Sequence, residues 1–222
     1  MSSSFFTQIG SDIEGEAAGD QSGCSVSLSS DGSVVAIGAP WNDGNGSIGG
    51  HVRIYKNINN TWTKVGDDID GEASSGRGLS ISADGTVVAI GTGDTNQRGQ
   101  VRIYKNINDT WTQVGGDIDG EAINDQFGQS KTVSLSSDGS IVAIGAPAND
   151  GNGSDSGSVR IFKNINNSWT QIGSDIDGEA AEDRSGRTTI LSSDGTTVAI
   201  GAPGNDGNGS DSGSVRIFKN IN

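Results

Sequence analysis

The chain has few of the residues on which disulfide and metal chemistry depend. Among 222 residues, Cys24 is the one cysteine and His51 the one histidine. An intramolecular disulfide and a site built from several histidines are therefore excluded. No apolar run approaches the roughly 18 residues of a transmembrane helix, and residues 1–6 lack the apolar segment of a signal peptide. We expect a soluble chain that does not insert into a membrane.

Positive charge is scarce as well. The chain carries 14 Lys and Arg residues against 28 Asp and Glu residues, which gives a net charge of −14 at pH 7. Such a surface repels the phosphate backbone of nucleic acids and anionic membranes, so neither is expected as a partner. Cationic partners and divalent metals remain compatible with the charge.

Internal repetition is what the sequence has in abundance. The segment Trp-Thr-Gln/Lys-Ile/Val-Gly begins at Trp62, Trp111 and Trp169, and a related segment begins at Phe6. Each copy continues with Asp-Ile-Asp/Glu-Gly-Glu-Ala, an Asp-Gly turn, a Val-Ala-Ile-Gly run and a Val-Arg-Ile-Tyr/Phe-Lys run. Four short β-rich runs per period are typical of a propeller blade. We predict an all-β fold, a four-bladed β-propeller of four-stranded antiparallel blades in one domain, residues 1–222.

The two ends of the sequence suggest how the ring closes. The repeats cover about residues 6–61, 62–110, 111–168 and 169–222, and no strand of the tryptophan type follows the strand that ends at Lys219 in the last blade. If residues 5–10 pair with the strand that ends at Lys219, they complete the last blade and remove two exposed sheet edges. The same pairing between two chains would give an eight-bladed homodimer. We favour the monomer and keep the dimer as the alternative.

Two short motifs carry a resemblance to a known family. Phe127-Gly128 precedes the first strand of the third copy, and Gly145-Ala146-Pro147 follows its second strand. Gly-Ala-Pro recurs at 38–40 and 201–203, whereas the second copy has Gly91-Thr92-Gly93. The chain resembles the FG-GAP repeat of integrin-α-type propellers. This resemblance implies an extracellular or cell-surface module for adhesion or ligand binding, although a short Asp-Gly turn replaces the calcium loop that the family often carries.

Acidic residues are concentrated at one end of the predicted blades. Most lie before the first strand or between the second and third strands, whereas Lys56, Lys105, Lys163 and Lys219 mark the opposite end. The connection before the first strand has alternating carboxylates, a spacing that suits the oxygen ligands of calcium. Solvated turns and edge-strand charges that discourage contacts between sheets are the interpretation that we favour. The candidate calcium ligands are Asp12, Glu14, Glu16, Asp68, Asp70, Glu72, Asp117, Asp119, Glu121, Asp175, Asp177 and Glu179.

The connection between the second and third strands offers candidate ligand-binding residues. Asn-Asp-Gly-Asn-Gly-Ser occurs at 42–47, 149–154 and 205–210, and this composition suits either an oxygen-rich site or an ordinary turn. Trp41 precedes the first of these segments, where it could stack on a sugar or pack locally. The candidate ligand-binding residues are Trp41, Asp43, Asp150, Asp155, Asp206 and Asp211.

No catalytic constellation stands out in the sequence. The carboxylates recur from copy to copy, whereas an active site needs an acid and a base in different environments. We therefore predict a non-enzymatic binding or adhesion module whose acidic face engages a protein or glycan ligand, with calcium as a candidate cofactor. The rival interpretation is a purely structural repeat, either a unit of a larger array or a module for ring closure.

Overall fold

The computed structural model describes residues 5–44, 49–72, 74–92 and 98–221, and all regular elements in this part of the chain are β-strands. The end of the first Asn-Asp-Gly-Asn-Gly-Ser segment, residues 45–47, lies outside the described residues. The strands form four antiparallel sheets, and each sheet takes its first three strands from one repeat. The last two strands of the first three sheets come from the start of the following repeat. Across the described ranges, no helix has the length and hydropathy required to cross a membrane.

The strands follow the same order in successive sheets. In the first three sheets, strands one to three pair in sequence, and the third strand also pairs with a four-residue strand and a two-residue strand. The first sheet contains β1 (Ser25–Leu28), β2 (Val34–Ala39), β3 (His51–Ile58), β4 (Thr61–Lys64) and β5 (Ile69–Asp70). The second contains β6 (Gly78–Ile81), β7 (Val87–Gly91), β8 (Gln100–Ile107), β9 (Thr110–Gln113) and β10 (Ile118–Asp119). The third contains β11 (Val133–Leu135), β12 (Ile141–Ala146), β13 (Ser158–Ile165), β14 (Ser168–Gln171) and β15 (Ile176–Asp177). The fourth contains β16 (Thr188–Leu191), β17 (Thr197–Ala202) and β18 (Ser214–Lys219).

The core lies in the layers between consecutive sheets. Strand β7, with its Val-Val-Ala-Ile run, is an example. Val88, Ala89 and Ile90 are each no more than 2% exposed, so none of these positions suits a polar residue. Ile90 packs in a cluster with the first sheet, and Ala89 packs in a cluster with the third. Because neighbouring sheets cover both faces of the strand, alternation of apolar and polar residues is lost.

Each turn between the first two strands of a sheet is built around an aspartate. Asp31 Oδ1 accepts hydrogen bonds from the Ser33 backbone N–H at 2.9 Å and the Ser29 hydroxyl at 2.8 Å. The same bonds recur around Asp84, Asp138 and Asp194. The bonds from Ser33 and Ser29 lower the pKa of Asp31 to about 2, and equivalent bonds lower the pKa of Asp194 to about 2. These turns therefore depend on an ionised carboxylate.

Protonation of these aspartates should destabilise the fold in acid. The pKa of Asp31 lies below its ordinary value of 3.8 in the folded chain. The stabilisation is therefore complete above about pH 4 and is lost as the pH falls through about 2. We expect the urea midpoint of unfolding to fall over this range, and to fall less in Asp31→Asn/Asp194→Asn, whose amides do not titrate. An equal fall in the variant would assign the effect to other carboxylates.

Tryptophan joins consecutive sheets, as its repeated strand position predicts for a packing residue. The Trp111 indole donates a hydrogen bond of 2.9 Å to the Val65 carbonyl, and the Trp169 indole donates one of 2.8 Å to the Val114 carbonyl. Each acceptor lies three residues after the tryptophan of the preceding repeat. The repeated segment Trp-Thr-Gln/Lys-Ile/Val-Gly therefore supplies both the donor and the acceptor of this bond.

Removal of one indole donor should lower stability measurably. We expect Trp111→Phe to reduce the free energy of unfolding by about 1 to 2 kcal/mol, because the Val65 carbonyl loses its partner. Trp62→Phe is the matched control, since its indole donates to the carbonyl of Ile9, which is 53% exposed and can bond to water instead. Urea unfolding measures both variants. Equal losses would contradict the assigned difference between the half-buried acceptor at Val65 and the exposed acceptor at Ile9.

The predicted closure of the ring is not confirmed. The last sheet has three strands, and among the described residues β18 pairs with β17 alone. Residues 5–10 are not in a strand, and the Ile9 carbonyl accepts a hydrogen bond of 2.9 Å from the Trp62 indole of the first sheet. The Ile9 carbonyl accepts a bond from Trp62 in the same way that the Val65 carbonyl accepts one from Trp111. This bond holds residues 5–10 beside the first sheet. The structure thus does not confirm the expectation that residues 5–10 complete the last blade of their own chain.

Candidate functional site

An arginine of the third strand holds the acidic connection that precedes each sheet. Arg53 donates a hydrogen bond of 2.7 Å to the Glu14 carbonyl, and its Nη1 lies 3.6 Å from Glu16 Oε1. These contacts fix the connection against the sheet and neutralise part of its charge. The corresponding contacts join Arg102 to the Glu72 and Asp117 carboxylates, Arg160 to the Asp119 carbonyl and the Glu121 carboxylate, and Arg216 to the Asp177 carbonyl.

The first carboxylate of each acidic motif is bound by the side chain four residues earlier. Gln113 donates a hydrogen bond of 2.7 Å to Asp117, and Lys64 Nζ lies 2.5 Å from Asp68. Gln8 binds Asp12 and Gln171 binds Asp175 in the same way. Although burial acts to raise it, hydrogen bonds from Arg102 and Gln113 hold the pKa of Asp117 below its ordinary value.

The second carboxylate of the motif has a different environment. Asp70, Asp119 and Asp177 lie on the two-residue edge strands β5, β10 and β15, and all three side chains are exposed. Within the described ranges, no hydrogen bond or ion pair engages their carboxylates. The acidic motif thus continues along the sheet edge, so these three aspartates are edge-strand charges. It leaves one unpaired charge for solvent or a partner in each of the first three sheets.

A buried aspartate follows the motif and joins the two acidic connections of a repeat. Asp125 is 4% exposed, and its Oδ2 accepts hydrogen bonds from the Ala122 N–H at 3.2 Å and the Asn149 amide at 2.9 Å. Asn149 Oδ1 in turn accepts from the Gly151 N–H. The equivalent pairs are Asp20 with Asn42 and Asp183 with Asn205. Sequence reasoning missed this pair, although its separation of 22 or 24 residues recurs in three repeats.

Loss of this buried carboxylate should cost more than loss of an exposed one. Asp125→Ala leaves the Ala122 N–H without an acceptor and the Asn149 amide with only a bond of 3.4 Å to Glu121. We therefore expect a loss of about 2 to 4 kcal/mol in unfolding free energy. Asp119→Ala in the same repeat is the control and should change it by about 0.5 kcal/mol or less. Urea unfolding compares them, and a similar loss in both variants would refute the structural role of Asp125.

The remaining aspartates of the predicted ligand set serve their own loops. Asp150 Oδ1 accepts a hydrogen bond of 2.9 Å from the Asp155 N–H, and Asp206 Oδ1 accepts one of 2.8 Å from the Asp211 N–H. Asp155 and Asp211 adopt positive φ angles of 50° and 51°. These contacts are those of a turn, the alternative that the composition left open. Asp43 is exposed in the first repeat.

Trp41 packs locally between the first two repeats. Its indole N–H donates a hydrogen bond of 3.0 Å to Gln21 Oε1, and the Arg77 guanidinium lies 4.8 Å from the ring centroid. The side chain is half-buried. Arg77 therefore occupies a ring face that a sugar would need, which favours the packing role of Trp41 over stacking on a glycan.

Glu16, His51 and Asp68 are the described residues that could hold a metal ion together, since their candidate ligand atoms lie within 4.8 Å of one another. His51 is 2% exposed, and its Nδ1 lies 3.8 Å from Glu16 and 4.0 Å from Asp68. Arg53 and Lys64 already pair with these carboxylates, so a cation would compete with them. Two of the twelve predicted calcium ligands thus meet across a repeat boundary, beside a histidine that the sequence analysis left unassigned.

The Phe-Gly and Gly-Ala-Pro motifs meet in the structure. The Gly128 N–H donates a hydrogen bond of 3.1 Å to the Gly145 carbonyl. Phe127 is fully buried, and the Arg160 guanidinium lies 4.4 Å from its ring centroid. The same backbone bond joins Gly23 to Gly38, Gly76 to Gly91 and Gly186 to Gly201.

A family model described as the FG-GAP repeat matches residues 14–55, 118–162 and 176–218, which together are more than half of the chain. The chain belongs to the FG-GAP repeat family. The matched FG-GAP segments fall in the first, third and fourth repeats, which contain Gly-Ala-Pro. The second repeat, with Gly91-Thr92-Gly93, departs from the motif in sequence but keeps the glycine bond. No sequence among curated proteins matches the chain.

Solved structures, a β-propeller domain among them, share the fold of this FG-GAP chain. Sqt1 from Chaetomium thermophilum gives a TM-score of 0.56 at 15% identity, over 91% of this chain and 45% of that one. The periplasmic gluconolactonase PpgL from Pseudomonas aeruginosa gives 0.52 at 14% identity, over 89% and 57%. The β-propeller domain of the Trilobed protease from Pyrococcus furiosus gives 0.51 at 11% identity, over 88% and 54%. The FG-GAP chain thus has a propeller fold and spans about half the length of these structures.

Proposed function

We propose that this FG-GAP chain is a non-enzymatic binding module that engages a basic protein surface through the carboxylates of its edge strands. The observation that carries the proposal is the contrast within one repeated motif. Its first carboxylate is bound by a neighbouring side chain, and in the first three repeats its third carboxylate contacts an arginine. Asp70, Asp119 and Asp177 instead stay exposed at equivalent places in three sheets.

Because the motif repeats, the three exposed aspartates form a row across consecutive sheets. Each aspartate pairs in register with the first residue of a third strand, His51, Gln100 or Ser158. The three carboxylates therefore lie at the same height on consecutive sheets. Like charges held on a rigid scaffold add their fields and attract a cationic surface. An extracellular location, which family membership supports, belongs to the same proposal.

The proposed binding does not require calcium. A calcium ion would compete with arginine, lysine or glutamine contacts already made by most of the predicted ligands, and the exposed aspartates belong to separate sheets. A glycan ligand would lack the positive charge that the exposed aspartates favour, and Trp41 is already packed against Arg77. A basic protein surface suits the described groups better than either.

A fluorescent deca-lysine peptide can serve as the probe. We expect Asp70→Asn/Asp119→Asn/Asp177→Asn to weaken binding by about tenfold, because three exposed ion pairs of about 0.5 kcal/mol each are removed. Thr61→Lys/Thr110→Lys/Ser168→Lys is the control. It changes net charge by the same amount at the exposed starts of β4, β9 and β14, at the other end of the sheets. Fluorescence anisotropy measures both dissociation constants.

The control decides between a local site and general attraction. The proposal expects the lysine variant to keep most of its affinity, and expects binding to weaken as salt rises from about 50 to about 200 mM. If both variants lost the same affinity for the peptide, the effect would be due to net charge, and the proposed site would be refuted. Binding to neutral glycans that the aspartate variant leaves unchanged, or affinity abolished by a calcium chelator, would also overturn the proposal.

A further inference from the structure

Consecutive repeats meet through backbone contacts that leave no room for a side chain. A Cβ added to Gly38 would lie 2.2 Å from the carbonyl oxygen of Gly76 in the next repeat, and one added to Gly145 would lie 2.2 Å from that of Gly186. Gly91 has the same relation to Gly128. Glycine is required at these strand positions because another backbone approaches so closely.

Both ends of the row of sheets lack this contact. A Cβ on Gly201, the equivalent of Gly38 in the last repeat, would come no closer than 3.7 Å to any atom, and that atom belongs to its own sheet. A Cβ on Gly23, the equivalent of Gly76 in the first repeat, would meet nothing within 4 Å. We call the face of the fourth sheet that carries Gly201 the trailing face, and the face of the first sheet that carries Gly23 the leading face. Together these two faces offer the two surfaces that meet wherever consecutive repeats are in contact.

The tryptophan contact is also missing at the trailing end. Gly66 and Gly115 each pack against the tryptophan of the following repeat, whereas a Cβ on Gly173 would meet nothing within 4 Å. A groove of about 490 Å³ opens beside it, lined in part by Ile161, Ile172, Gly173, Leu191, Val198 and Phe218. By analogy with Val65 and Val114, the Ile172 carbonyl in this groove is the acceptor for a strand of the tryptophan type.

The two faces expose apolar side chains whose equivalents are buried elsewhere. On the trailing face, Val215 is 68% exposed and Ile217 is 70% exposed, whereas Val52 and Ile54 at the same positions are no more than 1% exposed. On the leading face, Leu28 is 58% exposed, although its counterparts in the later sheets are no more than 8% exposed. Burial of these surfaces supplies the driving force for closure.

We propose that two copies of this chain close one eight-bladed ring, in which residues 5–9 of each copy pair with β18 of the other. Residues 5–9 already lie where the outer strand of a preceding blade belongs, because Ile9 bonds to Trp62 as Val65 bonds to Trp111. The pairs Tyr55↔Lys64 and Lys56↔Thr63 set the expected register between copies. It is Phe218 opposite Gln8 and Lys219 opposite Thr7.

The overall geometry favours a second copy over closure within one chain. This chain superposes 88% of its length on 54% of one propeller domain, and 91% on 45% of another propeller-like chain. The chain therefore matches about half of each larger structure, and a second copy would supply the other half. A two-fold axis through the centre of such a ring brings the trailing face of each copy onto the leading face of the other.

Native mass spectrometry tests the stoichiometry. We expect a species of twice the 22.6 kDa chain mass. Ile217→Lys on the trailing face, and independently Val26→Lys on the leading face, should shift it to the mass of one chain. Ile107→Lys is the control, because Ile107 is 52% exposed but lies on neither face, and it should leave the dimer intact. Circular dichroism checks that each variant is folded. A monomeric unmodified chain, or an open ladder of larger species, would overturn the proposal.

Crosslinking distinguishes strand pairing between copies from closure within one. In a Cys24→Ser background, Thr7→Cys/Lys219→Cys places two thiols at a predicted cross-strand pair, and a short bismaleimide should link two chains. An exclusively intrachain link would overturn the proposal in favour of a four-bladed monomer.

Phe6→Trp adds the missing indole donor, so it should lower the dimer dissociation constant. No change or a rise would show that the groove beside Gly173 does not receive this strand.

Discussion

The approach of one backbone to another across glycine sets the spacing on which the rest of the structure depends. Gly38, Gly91 and Gly145 each lie against a carbonyl of the following repeat, and no other residue fits there. At this separation the strand faces interlock, and an indole can reach the carbonyl of the preceding repeat. Both glycines that define the FG-GAP motif take part. The motif is therefore a packing signature of the boundary between repeats, independent of what the protein binds.

The same boundary explains why identical carboxylates differ in their surroundings. Within one short motif, position along the sheet edge decides whether an acid meets glutamine, arginine or water. The sequence predicted only that one end of the blades is acidic. The hydrogen bonds and ion pairs in the structure distinguish carboxylates that hold the connection in place from carboxylates that are available to a partner. Asp125, deeper in the repeat, joins two connections and belongs to the framework. The proposed binding surface therefore consists of carboxylates of this motif that form no hydrogen bond or ion pair with the described residues.

Features governed by neighbours in sequence could be predicted, and features that cross a repeat boundary could not. The strands and the turn around Asp31 follow from local chemistry, and the structure confirms them. The repeated position of tryptophan predicted a packing role, but the bond from its indole to the preceding repeat was not predicted. The contacts of Arg53 and the cluster at His51 join segments from different connections, so no spacing in the sequence reveals them. Ring closure within the chain stays an unconfirmed prediction, because the matching segments identify a pair of strands without saying whether one copy holds both.

Hydrogen exchange of the indole N–H groups tests most directly whether tryptophan indoles join consecutive repeats by bonding to the preceding backbone. In nitrogen-15-labelled protein, the indole protons of Trp111 and Trp169 should be strongly protected and should exchange with the core amides of their sheets, because their acceptors lie between sheets. The Trp62 indole, bonded to the exposed Ile9 segment, should exchange faster. Exchange of all three at the rate of free tryptophan would contradict the account.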